Sequence, residues 1–257
     1  LSQTLSAAFV LYFLRKKTEL KVCLLSRKEI RNCRDRAKNI ISLGTAGFIM
    51  QLTNSLVTIC CNNVLSVTGG DLYISVMTIV SSIRQIIDTP IHAITEGSSP
   101  VISYNYGARR PKRVFQSWLT MSVMAILYTL LAWGVILFAP RFLIGIFSSD
   151  QALITDAIPA LKLYFGAFVF QALQYVGQTM FKSLGKKKFA IFFSLLRKVI
   201  IVVPLTYIFP YLFHMGSDGV FLAEPVSNVL GGSACFIVML CTVMPELKRI
   251  AKENSSH

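Results

Sequence analysis

Residues 114–139 read VFQSWLTMSVMAILYTLLAWGVILFA, a stretch that contains no charged side chain. A helix needs about 20 mostly apolar residues to cross the roughly 30 Å hydrocarbon core of a bilayer, so this stretch predicts a transmembrane helix. The whole chain agrees, because 54% of its 257 residues are hydrophobic and 15% are charged. Ordinary globular domains contain about 25% charged residues, and a single water-soluble core is therefore not expected.

Five further apolar stretches lie on either side of this one, at residues 39–70, 72–103, 157–181, 189–213 and 219–245. Each is long enough to span a bilayer as a helix. The sequence therefore predicts an all-α polytopic membrane protein with a bundle of six transmembrane helices. Residues 1–14 are apolar too, but a helix of that length reaches only about 21 Å, so we expect the tail of a longer span there.

The basic residues are concentrated in alternate connectors between these stretches. Residues 15–38 contain ten Lys and Arg, 109–113 contain four, 182–188 contain four and 246–257 contain three, which together make 21 of the 26 basic residues. Because Lys and Arg accumulate in cytoplasmic connectors, the alternation predicts that these four segments face the cytoplasm. The net charge of +14 then reflects topology in a lipid bilayer, and no nucleic-acid partner is expected.

The polar passage before residue 114 has a turn composition. Residues 96–113 read EGSSPVISYNYGARRPKR. The small residues before Pro100 permit close helix approach and a local break in the helix. Gly107 is available for a turn with positive φ, and Pro111 suits the first position of the next helix.

This passage resembles a motif of the multidrug and toxic compound extrusion (MATE) family of transporters. The motif has the form Gly-x-x-Pro-x-Ile-x-x-Asn-x-Gly-Ala, and its members here are Gly97, Pro100, Ile102, Asn105, Gly107 and Ala108. Three other segments are similar to the family: Ile-Ser-Leu-Gly at 41–44, the Gly-Gly pair at 69–70, and GVFLAEPVSNVLGG at 219–232. The resemblance runs from the end of a sixth helix through a twelfth helix.

The resemblance implies one lobe of a transporter that has two six-helix lobes. It assigns residues 1–14 to the tail of a truncated transmembrane helix, 15–38 to a basic cytoplasmic connector between lobes, 39–247 to a six-helix C-terminal lobe, and 248–257 to a cytoplasmic tail. The partner would be the N-terminal lobe, since one lobe cannot form the central cavity alone. The implied activity is efflux of small cationic, amphipathic, drug-like compounds across the cell membrane by Na⁺ or H⁺ antiport, with no other cofactor.

Ionisable residues inside the spans are candidates for ion coupling, because a charge in the membrane costs about 2.5–3.5 kcal/mol on insertion scales. Asp88 and Glu224 are the acidic candidates. Arg84 is spaced i, i+4 from Asp88, so the two residues are also expected to form a structural ion pair. Glu224 precedes Pro225 near the start of the last span. Its carboxylate lies either in a site at a helix break or near the outer interface, where solvent keeps it charged.

Polar residues in the spans are candidates to line a substrate cavity. They are Gln51, Asn54, Gln171, Gln174, Gln178 and Lys198. Hydrogen bonds between helices explain the uncharged ones equally well. One cation-coupled branch of the family carries a glutamate ten residues after the Leu-Gly of its seventh helix and an aspartate in its tenth. Here Asn54 stands at the first position, and the corresponding fourth span has no carboxylate, so coupling through the first lobe is expected instead.

Two other functions compete with drug efflux. A flippase or exporter of lipid-linked saccharides from the same superfamily would need basic residues in its cavity to bind phosphates, and only Arg84, Arg197 and Lys198 are available for that purpose. A membrane-embedded enzyme would need a catalytic motif. The sequence has three His and no HExxH, GxSxG or Walker-type pattern, so an enzyme is not expected.

Overall fold

The structure is a computed structural model that describes residues 2–16 and 34–255. The chain divides into two units, Leu1–Thr45 and Ala46–His257. The first unit contains helix α1 (Ser2–Lys16) and the start of α2 (Arg34–Thr68). Most of the basic connector predicted at 15–38 lies outside the described residues.

The second unit is built from helices joined by short turns. After α2 come α3 (Gly70–Gly107), α4 (Pro111–Phe138), α5 (Pro140–Gly145), α6 (Gln151–Tyr164), α7 (Phe168–Ser183), α8 (Lys187–Leu195), α9 (Val203–Tyr211), α10 (Gly216–Ser227) and α11 (Ser233–Ser255). A π-helical segment, Leu196–Val202, joins α8 to α9, and a second one, Asn228–Gly232, joins α10 to α11. The predicted all-α fold is confirmed.

Three helical stretches in the described part of the chain are long and apolar enough to cross a membrane: Pro111–Phe138, Lys187–Tyr211 and Gly216–Asn254. The bent pair α6 and α7 makes a fourth if the two helices form one span. Helices α2 and α3 have 35 and 38 residues, so they are long enough, but they are less apolar. The count of six spans therefore stays a prediction.

The span predicted at 157–181 is broken. Helices α6 and α7 meet at 50°, with Gly166 between them. A Cβ on Gly166 would lie 3.1 Å from the carbonyl oxygen of Leu163, which is tighter than most such contacts, so the turn favours a residue without a side chain. The predicted span is therefore two helices joined at a bend and not one straight helix.

The passage at 96–113 differs from its prediction in two details. Helix α3 continues through Pro90 and Pro100 to Gly107, so the expected break at Pro100 is wrong. Membrane helices tolerate such prolines because neighbouring helices and hydroxyl side chains satisfy the freed backbone groups. The positive φ belongs to Arg109, at 51°, and not to Gly107. Helix α4 begins at Pro111, as predicted.

The connectors group at two ends of the second unit, as their charges suggest. At the end with few basic residues, the Ser217 hydroxyl lies 3.5 Å from that of Thr68. At the basic end, Lys186 donates to Glu246, and the Asn254 amide donates to the carbonyl oxygen of Arg109 at 2.7 Å. The segments that the positive-inside rule places on one side of the membrane therefore share one end of the bundle.

The orientation can be tested by cysteine labelling on a background without the native cysteines. We expect a membrane-impermeant maleimide to label Asp71→Cys in sealed cells, because this exposed position lies at the end with few basic residues. Ala108→Cys, exposed at the basic end, should react only after permeabilisation. The reverse pattern would mean that the basic end faces outward.

Two hydrophobic clusters fill the interior of the second unit. The first cluster includes Leu65, Val76, Ile144, Leu161 and Phe221. The second cluster includes Ile102, Met121, Met180, Phe181 and Met239, and reaches Leu247 near the basic end. Polar side chains lie between the two clusters.

Candidate functional site

A layer of buried polar side chains separates the two hydrophobic clusters. On α7, Gln171 lies between Phe168 of the first cluster and Ala172 of the second. On the next helical stretch, Arg197 and Lys198 lie between Phe193 of the second cluster and Val202 of the first. Members of what we call the polar layer are Arg84, Asp88, Tyr164, Gln171, Tyr175, Arg197, Lys198, Glu224 and Asn228.

Glu224 is the centre of the polar layer, because three cations share its carboxylate. Its Oε1 lies 2.7 Å from Arg84 Nη1, 3.1 Å from Arg197 Nη1 and 3.2 Å from Lys198 Nζ. Lys198 also reaches Oε2, at 3.4 Å. The side chain is 4% exposed, so Glu224 does not lie at the outer interface, and that interpretation of the sequence is wrong.

Asp88 is the second acid of the layer. Its Oδ2 accepts from Arg84 Nε at 3.2 Å and from the Tyr175 hydroxyl at 3.2 Å, and Gln171 Nε2 lies 3.3 Å from both carboxylate oxygens. The predicted i, i+4 pair with Arg84 is therefore present. Arg84 also donates to the Tyr164 hydroxyl, so it links both acids to α6.

Both π-helical segments contribute side chains to the layer. The first holds Arg197 and Lys198, and the second begins at Asn228, which accepts from Arg197. A π turn has more residues than an α turn, so two consecutive side chains diverge less and can reach one carboxylate. Such turns are rare and frequently occur at functional sites.

Glycines allow the second π-helical segment to come close to its neighbours. A Cβ on Gly231 would lie 3.0 Å from the Cβ of Arg197, and one on Gly232 would lie 2.4 Å from the carbonyl oxygen of Phe170. The second distance is shorter than any real contact, and backbone cannot move aside as a flexible side chain can. The Gly-Gly pair at 231–232 therefore sets the spacing of the helices around Arg197.

A second polar feature runs along the outside of α3. Polar residues occur at alternating steps of four and three over the full helix, and we call them the polar stripe: Asp71, Ser75, Thr78, Ser82, Gln85, Thr89, His92, Glu96, Ser99 and Ser103. All are exposed except Ser82 and Ser99, which are half-buried. A face of this kind is unfavourable against lipid, so the stripe indicates a surface that meets water or protein.

The stripe and the layer meet at one contact. The ring of His92 packs on that of Tyr175 with centroids 4.6 Å apart, and the Tyr175 hydroxyl donates to Asp88. The stripe carries two acids, Asp71 and Glu96, and neither Lys nor Arg. Glu96 pairs with Lys182 at 3.0 Å. The sequence contains a signal for this stripe, because its polar residues recur at steps of four and three.

The predicted polar candidates separate into two groups. Gln171, Gln174 and Gln178 are buried on α7, and Lys198 is buried in the layer. Gln51 and Asn54 lie exposed on α2. Of the three glutamines, Gln171 contacts Asp88, and Gln174 Oε1 has no partner among the described residues. No group of three or more His, Cys, Asp or Glu in that part of the chain is placed to hold a metal ion.

The predicted motif lies beyond the layer, toward the basic end of α3. Ile102 and Asn105 are buried, whereas Gly97, Pro100, Gly107 and Ala108 are exposed. The amide of Asn105 donates to the carbonyl oxygen of Val101 at 2.8 Å. The motif therefore lies at the end of α3 and in the turn that follows it, away from the buried charges.

Comparison with known proteins agrees with this architecture. The MatE family model matches residues 47–208. The multidrug export protein MepA of Staphylococcus saprophyticus is 23% identical over 236 residues, which are 91% of this chain and 50% of that protein. MepA of Staphylococcus aureus is 22% identical over 233 residues, or 90% of this chain and 49% of its own length. The chain therefore spans about half the length of the curated relatives it matches.

Solved structures share the fold. A crystal structure of MATE in the bent conformation superposes with a TM-score of 0.82 at 21% identity, covering 99% of this chain and 55% of the other. The outward-facing conformation of a multidrug resistance MATE family transporter of the MOP superfamily gives 0.80 at 21% identity, covering 98% and 55%. With the apolar helices and the family match together, the protein is a multi-pass protein of the cell membrane and belongs to the MatE family of transporters.

Proposed function

We propose that this chain is the C-terminal lobe of an exporter that moves cationic, amphipathic drug-like compounds out of the cell in exchange for H⁺ or Na⁺. The observation that carries the proposal is the polar stripe on α3, because a membrane helix with one exposed polar face from end to end needs a water-filled passage or another protein surface beside it. A passage shared with an N-terminal lobe meets that need. The name of the MepA relatives, multidrug export protein, supports the same activity.

The charge of the stripe favours a cationic substrate. Asp71 and Glu96 are its acids, of which Glu96 pairs with Lys182, and the Tyr175 ring packs on His92 beside it. Acids attract a cation along the passage, and aromatic faces bind cations with about 0.5–2 kcal/mol each. The three bases inside the lobe, by contrast, belong to the buried layer, where Arg197 is 4% and Lys198 6% exposed. A lipid-linked saccharide phosphate would need such bases on the exposed wall, so that alternative is less well supported.

The polar layer is our candidate for the element that couples the ion to the movement of the lobe. It joins α3, α6, α7, α10 and both π-helical segments through two acids and three bases. A change in the charge of one side chain would favour one set of these contacts over another. Alternating access requires an element with two such arrangements. We further propose that residues 39–247 form the lobe, with 15–38 as the cytoplasmic connector to the first lobe and 248–257 as a cytoplasmic tail.

The stripe can be tested in the complete transporter that contains this chain. We expect the double variant Gln85→Leu, Thr89→Leu to lose at least tenfold in proton- or sodium-driven transport of tetraphenylphosphonium into inverted vesicles, because two polar groups of the passage become apolar. The matched control is Ile86→Leu, at the neighbouring exposed and apolar position. Transport by the double variant at the rate of the parent, at equal membrane levels, would contradict a role for the stripe.

A further inference from the structure

The polar layer contains more positive than negative charge. Its positively charged side chains are Arg84, Arg197 and Lys198, and its negatively charged side chains are Asp88 and Glu224. When all five are ionised, the layer carries one uncompensated positive charge. The layer lies between two hydrophobic clusters in a membrane protein, where an unbalanced charge is unfavourable.

The contacts assign this surplus charge to Lys198. Arg84 is matched by Asp88 at 3.2 Å, and Arg197 is matched by Glu224 at 3.1 Å and also donates to Asn228. The only hydrogen-bond and ion-pair partner of Lys198 among the described residues is Glu224, at 3.2 and 3.4 Å. It therefore competes with two arginines for a carboxylate that they already occupy.

Among these five charged side chains, only one change of protonation restores neutrality in a single step. Arginine does not lose its proton in proteins, so neither arginine can adjust the charge. Protonation of Asp88 or Glu224 would add to the surplus. Loss of one proton from the Lys198 ammonium, which becomes a neutral amine while the proton passes to water, brings the layer to zero net charge.

We propose that Lys198 is the residue that carries the coupling proton, bound in one state of the transport cycle and released in the other. The inference rests on the proposed function, because it takes the chain to be half of an antiporter, and it makes H⁺ the coupling ion. The proton is then held by an amine and not by Asp88 or Glu224, which serve to keep the arginines paired in both states.

The groups around Lys198 agree with this role. Glu224 faces it from α10, Arg84 from α3 and Arg197 from its own π-helical segment, and the buried Cys61 thiol of α2 lies 3.9 Å from the Thr206 hydroxyl. When Lys198 is charged, three cations contact the Oε1 atom of Glu224. With Lys198 neutral, the carboxylate is left to Arg84 and Arg197, so the contact between α3 and α10 tightens.

The network also has a side that approaches the polar stripe. From Lys198 it passes through Glu224, Arg84 and Asp88 to the Tyr175 hydroxyl, and each neighbouring pair is joined by a contact of 3.2 Å or less. Tyr175 is half-buried and packs on the exposed ring of His92. The polar layer therefore extends from Lys198 to the wall of the proposed passage.

Two substitutions with fixed charge test the proposal in the complete transporter, purified and reconstituted in proteoliposomes. Lys198→Arg keeps the charge permanently, and Lys198→Met removes it permanently. We expect both to lose at least tenfold in tetraphenylphosphonium transport driven by a proton gradient, while exchange of labelled for unlabelled tetraphenylphosphonium, which needs no net proton movement, persists in at least one. Lys182→Arg, in the exposed pair with Glu96, is the matched control and should transport like the parent.

A purely structural role would give a different result. If Lys198 only neutralised Glu224, arginine would replace it, and proton-driven transport by Lys198→Arg at the parent rate would overturn the proposal. A second measurement does not depend on transport. In protein with ¹⁵N-labelled lysines, the Nζ resonance that is missing from Lys198→Arg should change from the charged to the neutral form within the pH range in which the parent shows proton-driven transport.

The two measurements separate the failure of this inference from the failure of the proposed function. A resonance that stays charged over that range overturns the role of Lys198, whatever the transport assay shows. A resonance that titrates, in a parent protein that moves no tetraphenylphosphonium under any ion gradient, supports the proton site and contradicts cation export.

Discussion

Replacement of Glu224 by Gln is expected to destabilise the protein by about 3–5 kcal/mol, the range observed when one partner of a buried ion pair is removed. Three cations lose their shared carboxylate at once, and Asp88 is the acid that remains in the layer. We expect a clear fall in the midpoint of thermal unfolding in detergent, and little folded protein in the membrane if the parent is only marginally stable.

The control for this variant is Glu96→Gln. Glu96 also pairs with a lysine, at 3.0 Å, but the two side chains are 55% and 39% exposed, so the loss should stay within about 1 kcal/mol. The double variant Glu224→Gln, Lys198→Gln should recover part of the stability, because it returns the layer to the net charge of the parent. A single Glu224→Gln variant as stable as the parent would show that the three cations do not depend on this carboxylate.

The fold class followed from simple features of the sequence. Apolar stretches such as 114–139 are long enough to cross a bilayer, and α4 occupies nearly the same residues, from Pro111 to Phe138. The alternation of basic connectors placed Arg109 and Lys186 at one end of the bundle, where the structure also has them. These predictions succeeded because span length and connector charge are local properties that do not depend on how the helices pack.

The parts that depend on packing were not predictable in the same way. Glu224 and Lys198 are 26 residues apart in sequence, and Lys198 lies in a π-helical segment, which has no reliable signature in a single sequence. The bend at Gly166 depends on how tightly the chain turns there. The i, i+4 pair of Arg84 and Asp88 was predictable because helical geometry alone brings those side chains together.

The polar stripe on α3 was predictable from the sequence only in part. Its period could be read from the sequence, since every step from Asp71 to Ser103 is four or three residues. The sequence does not show whether that face points into the bundle or away from it. The buried residues Val76, Ile83 and Ile91 show that the opposite face packs inward, and this leaves the polar face to solvent or to another lobe.

The second large effect is expected at Asp88. Replacement by Asn removes one of two acids from a layer with three bases, and we expect a loss of about 3 kcal/mol in the free energy of unfolding, at the lower end for a buried pair because Arg84 keeps its contact with Glu224 at 2.7 Å. Combination with Arg84→Gln restores the parent net charge and should recover about half of that loss. Recovery is incomplete because the bond from Arg84 to Tyr164 is gone as well.

The same double variant distinguishes pairing from ion binding. If Asp88 serves to hold Arg84, the double variant in the complete transporter should be nearly as stable as the parent and should retain much of its proton-driven transport. Unfolding midpoints of the two single variants and the double variant give the coupling energy, which we expect to be about 1–3 kcal/mol for groups in direct contact. The geometry favours pairing, since Arg84, Gln171 and Tyr175 already fill the sites around the carboxylate. A double variant that folds and inserts like the parent but transports nothing would place Asp88 in the ion pathway and would move the coupling proton away from Lys198.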